Sequence, residues 1–284
     1  SVPNRNDVLQ PIANDQHSGQ RTAQKAVASV RQRYLADLQK KTGRNIIAYY
    51  SGWLSKPGVA QCDINDEDKN GFMMAVHKLD KKLGLDLILH TPGGGIAATE
   101  SIVNYLHKMF NKDIRAIVPQ IAMSAGTMIA CSCKKILMCE HSNLGPIDPH
   151  LSNIPAKGVI EEFKVAMKEI KKDATSVKVW EPILRQYRPT FLGQCQNAIN
   201  WSQQFVEDHL RTIMFSSLTP AQAKSKAKSV TRALGDFKKK CNTEMVALEK
   251  INDSDTETIK NLLVNHHKYT QSPKAKKILD NFHK

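Results

Sequence analysis

The sequence predicts an α/β protein built around a largely parallel sheet, with a helical extension at its C-terminal end. Three observations carry that prediction. Short apolar runs alternate with amphipathic segments between residues 45 and 139, two small-residue turns each follow a buried run directly, and beyond a proline-bearing loop the chain reads as helix to its end. Strand-helix alternation implies crossover connections, hence parallel strands covered by helices. The chain has 284 residues, of which 41% are hydrophobic and 24% charged. That length and balance suit one large domain with extensions and a real core, and only the 6% aromatic share is unusually low.

Taken in order, residues 1 to about 20 are polar and aperiodic and read as a flexible arm. Val27, Val30, Tyr34, Leu35 and Leu38 then recur at helical spacing, which predicts a helix over 22–41 ended near Gly43. Asn45 to Tyr50 is a compact apolar strand. Asp66 to Leu83 carries helical periodicity through Phe72, Ala75, Val76 and Leu79, and Asp86 to His90 is a second buried strand. A helix over 97–110, a strand over Ile114 to Val118, a small-residue helix over 125–133 and a strand over Lys135 to Cys139 complete the alternation. Beyond Glu140 lies a loop with Pro146, Pro149 and Pro155, and then helix. The expected organisation is an arm over 1–21, a catalytic domain over 22–215 and a basic helical extension over 216–284.

Composition narrows the partners. There are 41 Lys and Arg against 27 Asp and Glu, a formal charge of +14, which favours anionic partners. Residues 216–284 hold 14 basic and 7 acidic side chains, half of that excess, with a run at Lys238-Lys239-Lys240. A lysine run on a helix is more often a solvated face, so nucleic acid is a possible but not favoured partner. Six cysteines without a secretory leader read as reduced thiols of a cytoplasmic protein. Cys131, Cys133, Cys139 and His141 do not follow a zinc spacing, and Cys131 and Cys133 point to different sides of a helix, so no metal is expected. No run approaches the roughly 20 apolar residues that span a bilayer, and the chain is expected to be soluble. No internal repeat is visible.

The chemistry concentrates in two turns. Thr91-Pro92-Gly93-Gly94-Gly95 and Ala122-Met123-Ser124-Ala125-Gly126-Thr127 each follow a buried strand. Glycines there let backbone N–H groups converge on an anion, and the start of a helix adds partial positive charge. Each turn alone has a bland explanation, the first as a structural turn and Ser124 as an N-cap. Together they supply oxyanion donors and a hydroxyl, the constellation of acyl transfer.

HTPGGGIAATE at 90–100, MSAGTMIA at 123–130 and NLGPIDPH at 143–150 resemble, in that order, the Clp-type serine peptidase clan. Within it the chain looks closest to the serine dehydrogenase proteinase family and is more distantly similar to signal peptide peptidase A. A weaker echo lies at Leu218 to Ala223. The resemblance implies the ClpP/crotonase-like spiral of ββα units and assembly into a homo-oligomer. It also implies that Ser124 attacks the scissile carbonyl of a peptide or protein substrate while the N–H groups of Gly94 (or Gly93) and Ala125 hold the oxyanion. No cofactor is implied.

The general base is less defined. The histidine of the Clp protease would fall at Pro149; His150 is one step away, at a motif position where relatives usually carry glutamine. Lys157, just before a predicted helix, is the nearest match to the lysine of the signal peptide peptidase A type, against the plainer reading of an exposed loop lysine. Asp148 either orients a base or substrate or is an ordinary turn residue. His90, directly ahead of the glycine turn, reads as a structural hydrogen-bonding residue with catalysis as the lesser alternative. His266 and His267 read as surface residues of the tail.

Three functions remain in play: a serine peptidase or related hydrolase, a catalytically idle member kept as a scaffold or as a binder of an anionic partner, and a crotonase-like enzyme that stabilises a thioester enolate. The last needs no nucleophile at Ser124 and is least favoured.

Overall fold

The structure is a computed structural model that describes residues 20–54, 62–151, 154–240 and 246–248, with side chains described for 28–54, 62–151 and 154–235. Most of the expected N-terminal arm, Cys241, His266 and His267 lie outside the described residues.

Helix α1 (Gln20–Thr42) leads into β1 (Asn45–Tyr50). There follow α2 (Asp66–Val76), β2 (Leu85–His90), α3 (Ile96–Phe110), β3 (Ile114–Val118), β4 (Ile121–Ala122), α4 (Ala125–Cys131) and β5 (Lys135–Met138). Strands β1, β2, β3 and β5 form a four-stranded sheet in that order, and every neighbouring pair is parallel. The alternation read from the sequence is therefore the wiring of the sheet. Central β2 is covered on both faces, with Leu85, Leu87 and Leu89 buried on one and Asp86 and His90 buried on the other.

The helix expected over 66–83 is shorter. Asn65 caps α2, its side chain accepting from Glu67 N while Asp68 reaches back to the Asn65 N–H, and the helix ends at Val76. A 3₁₀ turn over Lys81–Leu83 follows, capped by Asp80. The buried Asn45 amide donates to the carbonyls of Asp80 and Gly84, both at 2.7 Å, which holds those carbonyls outside a continuous helical ladder.

The region after Glu140 also departs from a plain loop. Strand β6 (Ser142–Leu144) pairs parallel with β4, and β7 (His150–Leu151) pairs antiparallel with β8 (Ile154–Pro155). The expected helices follow as α5 (Ala156–Lys172), α6 (Val177–Leu184), α7 (Phe191–His209) and α8 (Pro220–Lys240). Five residues, Leu210–Met214, extend α7 as π-helix. Strand β9 (Val246–Leu248) adds to β6 where helix was expected. These additions are two or three residues long, too short to carry a period.

The main core runs from the sheet through α3 and α4 to Phe205, Val206 and Leu210, and Ala223, Ala227, Val230 and Leu234 of α8 belong to it. A smaller core joins α5 to α7 through Ala156, Val159, Phe191, Cys195 and Ile199.

Candidate active site

Both small-residue turns sit at the carboxyl end of the parallel sheet, and main-chain hydrogen bonds stitch them together. Thr91 N donates to Ile121 O at 3.1 Å, and Met123 N donates to Thr91 O at 3.0 Å. Side by side, the two turns can approach only because glycine stands at the contact. A Cβ on Gly93, whose φ is +109°, would lie 2.8 Å from Ser124 Cβ and 3.2 Å from Ala125 N. A Cβ on Gly126 would lie 2.5 Å from the Thr91 methyl.

Ser124 itself is the most unusual residue of the backbone. Its φ of +49° and ψ of −113° fall outside the left-handed helical well that Asn111 and Thr190 occupy at helix ends. Such a conformation costs a serine on the order of 1–3 kcal/mol, and it persists only where the surroundings enforce it. The surroundings do so from both sides. Gly126 N donates to Met123 O at 2.8 Å, and the Thr127 hydroxyl donates to Ala122 O at 2.7 Å while accepting from Gly145 N at 3.0 Å. Ser124 stands at the N-cap of α4, yet its side chain makes no cap hydrogen bond, which leaves the half-buried hydroxyl for other work.

The backbone donors separate in this geometry. The N–H of Gly93 is engaged, donating to Thr91 Oγ1 at 3.1 Å. The N–H groups of Gly94 and Ala125 have no acceptor among the described residues. Two such donors on adjoining turns, either side of a hydroxyl, suit a developing oxyanion.

The remaining candidates fall into two groups. Asp148 is buried at 3% exposure, and Oδ1 accepts from Lys157 N at 3.4 Å, so the aspartate meets the first turn of α5. Burial first, and the Asp148 carboxylate second, push the nearby Cys195 thiol pKa up. Lys157 Nζ donates to the carbonyl of Gly235 on α8. His150 is exposed on the β7–β8 hairpin.

His90 is buried at the end of β2. Its Nε2 lies 3.1 Å from Gln120 Oε1, its ring stacks on Tyr50 at 4.6 Å, and Nδ1 has no partner among the described residues. The described residues hold no cluster of three His, Cys, Asp or Glu suited to a metal ion; Cys131 and Cys133 are buried thiols whose pKa burial raises. None of the described helices is long and apolar enough to cross a membrane.

Sequence reasoning passed over four residues that shape the turns. Thr91 and Thr127 lie inside the motifs, which give them no role of their own; their hydroxyls bond the backbone across each turn. Ile64 and Gln120 carry no local signal, because each acts on a turn distant in sequence.

This parallel sheet, with a constrained serine apposed to a glycine turn, is the architecture of the ClpP-like α/β proteins. The chain belongs to the ClpP-like SDH-type serine proteinase family, whose model matches residues 19–238. A model described as a GXGXG motif also matches residues 228–284, a stretch whose one glycine is Gly235. A 136-residue stretch is 35% identical to the uncharacterized protein MJ0137 of Methanocaldococcus jannaschii, covering 48% of this chain and 45% of that protein. A 100-residue stretch is 34% identical to the uncharacterized protein MJ1495 of the same organism, covering 35% of this chain and 34% of that protein. The chain thus spans less than half the length of these curated relatives.

Proposed function

We propose that the protein is a serine-nucleophile peptidase, or related amide or ester hydrolase, acting on peptides or unfolded protein segments through an acyl-enzyme. The observation that supports this most is the backbone of Ser124. A nucleophile at a sharp strand-to-helix turn presents Oγ without steric cover, and strain of this kind is kept where chemistry needs it.

In the proposed reaction Ser124 Oγ attacks the carbonyl carbon as its proton passes to a base, and the oxyanion rests on the N–H groups of Gly94 and Ala125. The tetrahedral adduct expels the amine, which takes the proton from the base. Water then repeats the sequence in reverse and frees the carboxylate. Lys157 is the proposed base, with Asp148 fixing the start of its helix through the 3.4 Å bond to Lys157 N. A neutral amine keeps two N–H donors and one lone pair, so the Gly235 carbonyl can hold one N–H while the lone pair serves Ser124. We assign the protein to the cytoplasm and to a homo-oligomer on the same reading, consistent with its described cysteines being thiols.

A fluorophosphonate probe tests the assignment. Wild-type protein is expected to label and Ser124→Ala to remain unlabelled; wild-type protein that stays unlabelled as the oligomer overturns it. The second reading, an idle scaffold, is favoured by the engagement of Lys157 with Gly235. It predicts that both proteins stay unlabelled.

A further inference from the structure

Ile64 lies on the glycine turn. Its N–H donates to Gly93 O at 2.8 Å and its carbonyl accepts from Gly95 N at 2.7 Å, so Gly94 is bracketed by one residue from a distant segment. The fit has no slack: a Cβ on Gly94 would lie 2.2 Å from Ile64 N and 2.3 Å from Ile64 O. Ile64 is 1% exposed and belongs to the main core, which fixes the side of the strap facing away from the turn.

The next residue of the strap is anchored separately. Asn65 N donates to Asp68 Oδ2 at 2.9 Å, and the Tyr49 hydroxyl donates to the same oxygen at 2.9 Å. Tyr49 is fixed in turn by stacking on Phe72 at 5.6 Å and lies within reach of the Thr91 hydroxyl. Thr91 Oγ1 is the acceptor of the Gly93 N–H. Burial, together with the Asp68 carboxylate, raises the Tyr49 pKa, so the phenol stays protonated and remains a donor. One support of the glycine turn thus runs from the Tyr49 phenol through Asp68 and Asn65 to Ile64.

We propose that Asp68 and Tyr49 are positioning residues for the oxyanion donor Gly94, acting through the Ile64–Asn65 strap. This inference rests on the hydrolase reading above. Neither side chain touches substrate; their work is to keep the Gly94 N–H aimed where negative charge develops, which is the geometry that makes such a donor effective.

The test uses the full chain and two readouts: steady-state hydrolysis of a p-nitrophenyl ester, and amide hydrogen exchange over residues 91–96. Asp68→Ala is expected to lower kcat by about tenfold or more with KM nearly unchanged, a fraction of the loss from deleting an oxyanion donor, and to speed exchange of the Gly95 amide. Asp68→Asn is expected to recover kcat to within about threefold, because both bonds fall on Oδ2 and an amide oxygen accepts the same two donors. Should Asp68→Ala fail to fold, Tyr49→Phe carries the test with a smaller loss of the same kind.

A folded Asp68→Ala with wild-type kcat, equal impairment of Asp68→Ala and Asp68→Asn, or unchanged Gly95 exchange overturns the proposal. Wild-type protein inert to both ester and fluorophosphonate overturns the hydrolase reading instead, and exchange alone then decides whether the strap holds the turn.

Discussion

The two ends of the parallel sheet handle polar groups in opposite ways. At the amino end, a buried carboxylate and the charges around it are paired. Asp86 is 0% exposed and accepts from Arg44 Nε at 2.8 Å and from both Nε and Nη2 of Arg115, at 2.7 and 2.6 Å. Arg44 continues to Asp113 at 2.8 Å, which holds the Asp113 carboxyl below its ordinary pKa. At the carboxyl end stand a serine in a costly backbone conformation and the amides of Gly94 and Ala125, which have no acceptor among the described residues. A sheet with its buried charges satisfied at one end can carry unsatisfied donors at the other, and the unsatisfied end is where a ligand gains most.

The sharpest way to break this contrast is at Ser124. Ser124→Ala is expected to lower acyl transfer by about 10⁴-fold or more, in line with loss of a nucleophile elsewhere, with thermal stability unchanged. Ser124→Gly, which has no Cβ to strain, is expected to raise stability by about 1 kcal/mol and to be equally inactive. A Ser124→Ala protein that retains labelling would end the comparison at its functional pole.

Next in size is the amino end. Asp86→Ala leaves two guanidinium groups facing a buried gap and is expected to destabilise folding by about 3–5 kcal/mol, measured by denaturant titration. Labelling of the fraction that stays folded should be unchanged, since Asp86 lies near the start of β2 and the glycine turn follows its far end. Equal loss of rate and stability would mean that the two ends are not separable.

Gly94→Ala returns to the carboxyl end with a smaller expected effect. The added methyl meets the Ile64 backbone at 2.2–2.6 Å, so either the strap or the amide must shift. Displacing one oxyanion donor lowers labelling by about 10²-fold. Second-order labelling kinetics checks this, and a near-wild-type rate would remove Gly94 from the proposed hole.

The two ends were not equally legible in sequence. The sheet was readable because buried strands such as Leu85–His90 are short and rich in apolar residues and the helices between them keep their period. The serine and glycine turns were readable because their residue types are unusual at those places. The support was not. Ile64 has no period around it, and β4 and β6 are too short to show one. The partner of Lys157 is a main-chain carbonyl 78 residues away, where only folding brings them together. Asp68 shows the remaining difficulty: in sequence it is one of three acidic residues in a helix's first turn, and it is the bonds from Asn65 N and from Tyr49 to one oxygen that set it apart.

The smallest predicted effect lies between the two ends, where α3 packs on α7. His107 Nε2 lies 2.8 Å from Ser132 O, His209 Nδ1 lies 2.7 Å from Phe205 O, and the two rings stand 5.3 Å apart. Burial above all, with the opposing His209, lowers the pKa of His107 to about 4, and burial lowers that of His209 as well. Both are therefore neutral in the folded state at neutral pH, while an unfolded histidine titrates near 6.5. Between those values the unfolded chain binds more protons than the folded one. Stability is therefore full above pH about 6.5 and falls as pH drops towards 4, by on the order of 2–3 kcal/mol for His107. Lys112 opposes protonation of both rings, whereas Asp208 and Glu100 favour it at His209, so His107 carries the larger share. Denaturant titrations at pH 7 and 5 should show the loss in wild type and a smaller one in His107→Gln. Equal losses in both proteins would move the acid sensitivity elsewhere, and the Asp113 carboxylate, held below its ordinary pKa by Arg44, would then be the place to look.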